Sequence, residues 1–447
     1  LFYGTGIPAC IVVIDKEDAH ARKGIFMIDA SKGFMKDGPK NRLRARDIHK
    51  IVDVFNRREE DSKYARMVSV EEIEKNEFNL NLPRYIDNQT PEDIQDIGGH
   101  LQGGIPVSDI DSLSQYWELC PNLKSDLFKD NRPGYLDLKV DKLELRNSIY
   151  DHPEFSSFIE GMNDHFSKWR LKHLEQLKSH DLGCFPKEII QVLAEDLLTH
   201  YQGIALVDAY GIYQHLMDYW AETMQDDFYI IALDGWKAET SRVIDVDKKG
   251  KEKDKGWVCD LIPKAYIVAR YFADEQAAIE DLANRIDSLS SELTDLEEEQ
   301  GGDEGIFAEF DIVNKAAVTV RLKEIRRNVD SAEESGILRQ WLDLSTEIAD
   351  IRKELKLAET ELDLMAYNKY PELSVDEIKG LVVEDKWLTA LENAIQGETD
   401  RISQGLTKRV NELAERYGST LPELTNEVTH METTVNQHLK KMGFTWN

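Results

Sequence analysis

Residues 40–50, KNRLRARDIHK, carry five Lys or Arg against one Asp. Cationic side chains at the start of a helix oppose its macrodipole, so the cluster is unfavourable there unless it meets an anion. Phosphate contact would supply one, because arginines position a protein on the DNA backbone. A solvated face that answers an acidic remainder explains it as well. Lys40, Arg42, Arg44 and Arg46 are the candidates for phosphate contact. Arg321, Lys323, Arg326 and Arg327 form a weaker cluster that reads as solvated surface.

Other chemistries find no footing. Cys10, Cys120, Cys184 and Cys259 are scattered, with no CxxC pair, which argues for a reducing compartment and against a thiolate zinc site. The eleven histidines show no HExxH. GTG at 4–6 is followed by a strand pattern rather than a helix, so it is not a dinucleotide loop. There is no GxSxG and no P-loop. The motifs therefore single out no catalytic, cofactor-binding or metal-ligating residue.

The 447 residues suggest two to four domains, and no window offers ~18 uninterrupted apolar residues for a membrane span. A formal charge of −30 repels nucleic acid as a whole, so any DNA contact must be local. The acidic composition suits a cytoplasmic protein.

Residues 6–15 read as a buried strand, which needs neighbours on both sides. A hairpin to residues 24–30 is the expectation. Next comes a helix with Asp47 as its cap and Ile48, Ile51, Val52 and Phe55 as its apolar face. SVEEIEKN, 69–76, carries a capping-box pattern, and residues 79–87 are extended around Pro83. HLQGGIP marks a turn within short helices, and residues 135–225 read as helical. In that stretch Ile212, Leu216, Tyr219, Trp220 and Met224 are core residues at helical spacing. Strand patterns return in DFYIIALDGW, TSRVIDV and WVCDLIP.

Ile279, Leu282, Ile286, Leu289, Leu293 and Leu296 alternate 3 and 4 apart, and Gly301–Gly302 end that arm. Trp341, Leu344, Ile348, Ile351, Leu355, Ala358, Leu362 and Met365 repeat the pattern. This is a coiled-coil seam, and two nearby arms of ~40 Å favour an antiparallel hairpin over pairing between chains. Ten acidic residues against Arg285 make the first arm no reader of nucleic acid. Beyond Pro371, two helices around Gly380 carry Trp387, Leu391, Ile395, Ile402, Leu406, Val410 and Leu413 along one face. A last amphipathic helix stops at Gly443.

The opening LFYGTGIPACIVVI, followed in order by GIFMIDASKGF, KNRLRARDIHKIV and NLNLPRYID, resembles the modification (M) subunit of type I restriction–modification systems. HLQGGIPVSDIDSL, DKGWVCDLIPKAYIVARYF and the closing DKWLTALENAIQGETDRISQG extend the resemblance to a long-tailed branch of that family. The resemblance implies transfer of methyl from S-adenosylmethionine to adenine N6 in double-stranded DNA. Neither an NPP[FY] motif nor an acidic DxxxGxG-like segment occurs in the sequence. In the family both precede the phrase that opens this chain. The expectation is therefore a carboxy-terminal part of a larger enzyme, inactive alone and binding no cofactor. The resemblance also gives Phe2 the role of stacking on the flipped adenine. It names as partners a specificity (S) subunit, a second M subunit, the restriction (R) subunit and double-stranded DNA.

The expected architecture is mainly α. Residues 1–90 end a methyltransferase domain as a small α/β remnant, and 91–270 form a helical middle with a short β element. Residues 271–370 form the antiparallel coiled-coil hairpin, and 371–447 form C-terminal helices for subunit docking. The alternative is a non-enzymatic coiled-coil interaction scaffold.

Overall fold

The computed structural model describes residues 9–17, 19–38, 40–89, 94–246, 250, 252–302, 305–310, 312–325 and 332–444. Phe2, Arg326 and Arg327 lie outside them. The architecture is mainly helical with small antiparallel sheets, as the sequence predicts. The chain forms two compact units.

The first unit comprises residues 1–179, 185–228 and 388–447. Near its start β1 (Gly24–Ile28) pairs antiparallel with β4 (Ala65–Ser69), Gly24 opposite Ser69 and Met27 opposite Arg66. β2 (Met35–Asp37) and β3 (Lys40–Arg42) make a separate hairpin. Residues 9–14 form no strand, and Ile11, Val12, Val13 and Ile14 are exposed. The expected hairpin of that segment with residues 24–30 is therefore corrected. An apolar strand needs a ladder partner, and β1 pairs with β4 in a two-stranded sheet that residues 9–14 do not join.

The Met27 and Val68 side chains from the two strands pack with Ile73, Tyr85 and Ile86. Ser69 caps the Val70–Lys75 helix, its hydroxyl accepting from Glu72 N at 3.2 Å, as its pattern predicts. Pro83 sits in a 3-10 turn, Leu82–Arg84, rather than in an extended run.

A larger core lies beyond. β5 (Ile105–Pro106), β7 (Tyr135–Leu138) and β6 (Phe128–Arg132) form a small sheet in that order, a sheet that the helical reading of this stretch missed. The predicted HLQGGIP turn holds Gly103 and Gly104 at φ +77° and +89°, conformations that favour glycine. Ile105, Ile110, Leu123, Leu127, Leu145 and Ile149 pack on Ile402, Leu406, Val410 and Leu413 of the Thr389–Arg416 helix. Gly99 abuts the Tyr417 ring, where a Cβ would come within 2.7 Å. Tyr417 Oη accepts from Asp96 N at 3.1 Å and donates to Asp109 Oδ2 at 3.2 Å, fastening residues far apart in sequence.

The second unit comprises residues 180–184 and 229–387. DFYIIALDGW is not a strand: Gln225–Asp234 is a helix. Its apolar run is too short for period alone to separate strand from helix. TSRVIDV forms strand β8 (Ser241–Val246), but its antiparallel partner β9 (Glu252–Val258) takes only Trp257 and Val258 from WVCDLIP, the rest coming from the polar residues before it.

The arms Ala273–Glu299 and Ala332–Lys369 run antiparallel. Arg285 meets Glu347, while Glu297, farther along the first arm, accepts from Trp341 Nε1 at 2.7 Å, nearer the start of the second. Ile286, Ile348 and Ile351 form the buried middle of the seam, and Leu296, Val318, Leu338 and Trp341 its far end. Met365 is exposed and Ala366 takes the buried place beside it. Gly380 does not separate two helices. It opens a π-helical segment, Gly380–Leu388, where a Cβ would lie 2.8 Å from Arg270 Nη1.

Candidate nucleic-acid interface

The basic segment 40–50 divides between two structures. Its first residues form strand β3 of an exposed hairpin, with Arg42 opposite Met35 and Lys40 opposite Asp37. Residues two apart on a strand share a face, so Lys40 and Arg42 project together from the exposed hairpin. Lys36, on the facing strand, donates to Asn41 Oδ1 at 2.7 Å and sits 5.5 Å from the Phe34 ring centre.

Arg44 and Arg46 are placed differently. Arg44 is the residue before the Ala45–Arg57 helix, so Asp47 is not the cap but the third helical position. The Asp47 carboxylate, nearly buried, accepts from Arg44 N at 2.9 Å, Arg44 Nε at 2.8 Å and Arg44 Nη2 at 3.0 Å. Burial alone would raise its pKa, but these bonds hold it below the ordinary carboxylate value. An acidic group at this position also answers the helix dipole, which offsets the unfavourable cations around it. Arg46 lies 3.7 Å from Asp208 and 3.8 Å from Asp47, and its N–H donates to Gln214 Oε1 at 2.9 Å.

The same helix turns its polar side inward. His49 stacks on Tyr213 with ring centres 4.7 Å apart, and Lys50 Nζ lies 4.4 Å from the centre of the Tyr64 ring. Tyr210 donates to Asp53 Oδ2 at 3.0 Å, and burial pushes its phenol well above the ordinary value. The expected apolar face is outward: Ile48, Val52 and Phe55 are 45–51% exposed. Four of five cations in this segment therefore divide two and two, Lys40 and Arg42 on the hairpin, Arg44 and Arg46 on carboxylates.

A polar knot that sequence reasoning missed stands beside the hairpin. Asp29, nearly buried at the end of β1, accepts from Ser31 N at 3.0 Å and from Asn88 Nδ2 at 2.6 Å. Asn88 also donates to Ser31 Oγ at 2.9 Å, and its carbonyl accepts from Lys32. An Asp two residues before a Ser is a local turn signal. Nothing local points to Asn88, 59 positions away. Among the described residues no three His, Cys, Asp or Glu side chains are grouped as a metal would need, and no helix is long and apolar enough to cross a membrane.

Residues 1–94 match the family model for N-6 DNA Methylase. Curated relatives match over the same region. The type I restriction enzyme MpnII methylase subunit of Mycoplasma pneumoniae is 32% identical over 97 residues, 22% of this chain and 18% of the relative. The MjaVII methylase subunit of Methanocaldococcus jannaschii is 39% identical over 90 residues, 19% of this chain and 16% of the relative. The HindI methylase subunit of Haemophilus influenzae is 35% identical over 101 residues, 21% of this chain and 22% of the relative. The chain thus spans about a fifth of the length of the curated relatives it matches. No solved structure matches it. Residues 1–94 thus belong to the N-6 DNA methylase family, with distant and partial matches to type I restriction enzyme methylase subunits.

Proposed function

We propose that this chain serves in a type I restriction–modification methylase, which transfers methyl from S-adenosylmethionine to adenine N6 in double-stranded DNA. The family match over residues 1–94 carries the reading. Within it, Lys40 and Arg42 on the exposed hairpin contact DNA phosphate. Arg44 and Arg46, held by Asp47 and Asp208, position the helix that follows. Phe2 stacks on the extruded base. The outward Ile48, Val52 and Phe55 and the exposed residues 11–14 support work inside a larger catalytic domain, because such a domain would cover them.

The cofactor is ascribed to residues other than the described ones. A site for S-adenosylmethionine would need an available carboxylate beside a glycine-rich turn. The buried Asp29 accepts from Ser31 and Asn88, the contacts of a local turn. Assembly with S, R and a second M subunit falls to the region beyond residue 94, whose acidic arm is ill suited to DNA.

The test is binding of the full chain to a fluorescent duplex, followed by anisotropy across a salt series. Lys40→Ala with Arg42→Ala should weaken binding ~10-fold and reduce the salt slope by about 2. Circular dichroism should be unchanged, since both residues are exposed. An unchanged isotherm, or no binding by the wild-type chain, would contradict the role and favour a scaffold without DNA contact.

A further inference from the structure

The hairpin of β2 and β3 shares no ladder with β1 and β4, so no sheet hydrogen bond sets the direction in which it points. A two-stranded hairpin of this size holds itself only marginally. Its direction is therefore set by its two feet. The trailing foot is Arg44, held by Asp47 at the start of the Ala45–Arg57 helix. The leading foot, residues 29–34, leaves the end of β1, where Asp29 N donates to Tyr64 O at 2.8 Å. Gly33 brings the feet together, since a Cβ there would lie 3.3 Å from Asp47 Oδ1.

The leading foot is gripped from a distance. Asp29 Oδ1 accepts from Ser31 N at 3.0 Å, and its Oδ2 accepts from Asn88 Nδ2 at 2.6 Å. Asn88 Nδ2 also reaches Ser31 Oγ at 2.9 Å, and the Asn88 carbonyl accepts from Lys32 Nζ. Asn88 thus ties residues 29, 31 and 32 together, and it stands on fixed ground. Tyr85 and Ile86, just before it, are buried with Met27, Val68 and Ile73. Tyr85 Oη donates to Asn79 O at 2.5 Å, and the Tyr85 carbonyl accepts from Arg66 Nη1 at 3.1 Å.

We propose that Asn88 is a positioning residue for DNA, holding the hairpin so that Lys40 and Arg42 meet the duplex without first being ordered. Asn88 touches no phosphate and carries no charge; it acts through the foot. A hairpin fixed in advance spares binding the cost of ordering it. The inference rests on the reading of Lys40 and Arg42 as phosphate contacts.

Asn88→Ala in the full chain is measured in the same anisotropy salt series as wild type and the Lys40→Ala, Arg42→Ala chain. Its dissociation constant should rise ~5-fold, the cost of ordering a loosened hairpin. Its salt slope should equal that of wild type, because both cations remain. Hydrogen exchange should quicken in residues 29–34 and stay as in wild type in Val70–Lys75. If Asn88→Ala does not fold, Ser31→Ala decides in its place. Ser31 is exposed, and loss of its hydroxyl should weaken binding ~2-fold at the same slope. Wild-type affinity in the deciding variant, beside weakened binding by the Lys40→Ala, Arg42→Ala chain, would overturn this inference and leave the DNA reading intact. A salt slope lowered as far as in that chain would mean a lost phosphate contact, and quicker exchange in Val70–Lys75 a general loss of stability. Either result would overturn the positioning role. No binding by wild type would overturn both readings.

Discussion

The last two helices of the chain each carry an apolar stripe at helical spacing and meet opposite surroundings. In Thr389–Arg416 the stripe through Leu391, Ile395, Ile402, Leu406, Val410 and Leu413 is buried. In Leu421–Lys441 the stripe is exposed along its whole length. The difference lies in what surrounds them. Ile402, Leu406, Val410 and Leu413 of the first stripe face Leu123, Leu127, Leu145 and Ile149, supplied by segments more than 250 positions earlier. The second has no such cover among the described residues. Period shows which face of a helix is apolar, and only the remote chain decides what meets it.

This contrast can be broken most sharply by substitution. Leu406→Ala should cost about 2–5 kcal/mol of unfolding free energy, because a fully buried side chain leaves a cavity. Leu424→Ala in the terminal helix should stay within ~0.5 kcal/mol. Urea denaturation followed by fluorescence measures both, and equal losses would erase the distinction.

Acid should separate the two helices next. Glu398, nearly buried in Thr389–Arg416, accepts from Arg401 Nε at 2.9 Å and Nη2 at 2.5 Å, with His215 Nε2 3.9 Å away. The Arg401 bonds, followed by His215, draw its pKa down to about 2. A depressed carboxylate stabilises the fold fully above its unfolded pKa near 4.5, and that share is lost as pH falls toward 2. With screening through the exposed Arg401, the share is ~2 kcal/mol. Glu398→Gln should remove that much near neutral pH and flatten the acid limb of the stability curve. Glu427→Gln, on the exposed helix, should leave the curve unchanged.

A last pair of substitutions divides the basic segment. Asp47→Asn takes the charge from the group that holds Arg44 and should cost ~1–3 kcal/mol. Arg42→Ala should cost under ~0.5 kcal/mol. Thermal unfolding of the two variants side by side checks the ordering.

Much of this molecule is legible in the sequence where the determinant is local. The two arms pair along the alternation that Ile286, Ile348 and Ile351 mark, and Ser69 caps its helix through its own hydroxyl. Trp220 and Met224 are core residues, as their spacing predicts. Where the determinant is remote, sequence reasoning fails. The pairing of β1 with β4 spans an intervening hairpin and helix, so residues 7–14, next along the chain, looked like the better partner. Nothing near Arg46 in the sequence points to Asp208 and Gln214, which meet it from more than 160 positions away. DFYIIALDGW reads as a strand because Ile and Tyr favour one, while the helix it continues begins upstream at Gln225.

Hydrogen–deuterium exchange of the full chain tests the central contrast most directly. Amides of Thr389–Arg416 should be strongly protected, because their cover is internal to the unit. Amides of Leu421–Lys441 should exchange far faster. Equally strong protection of the terminal helix would contradict the account, since it would mean that the chain itself covers the stripe.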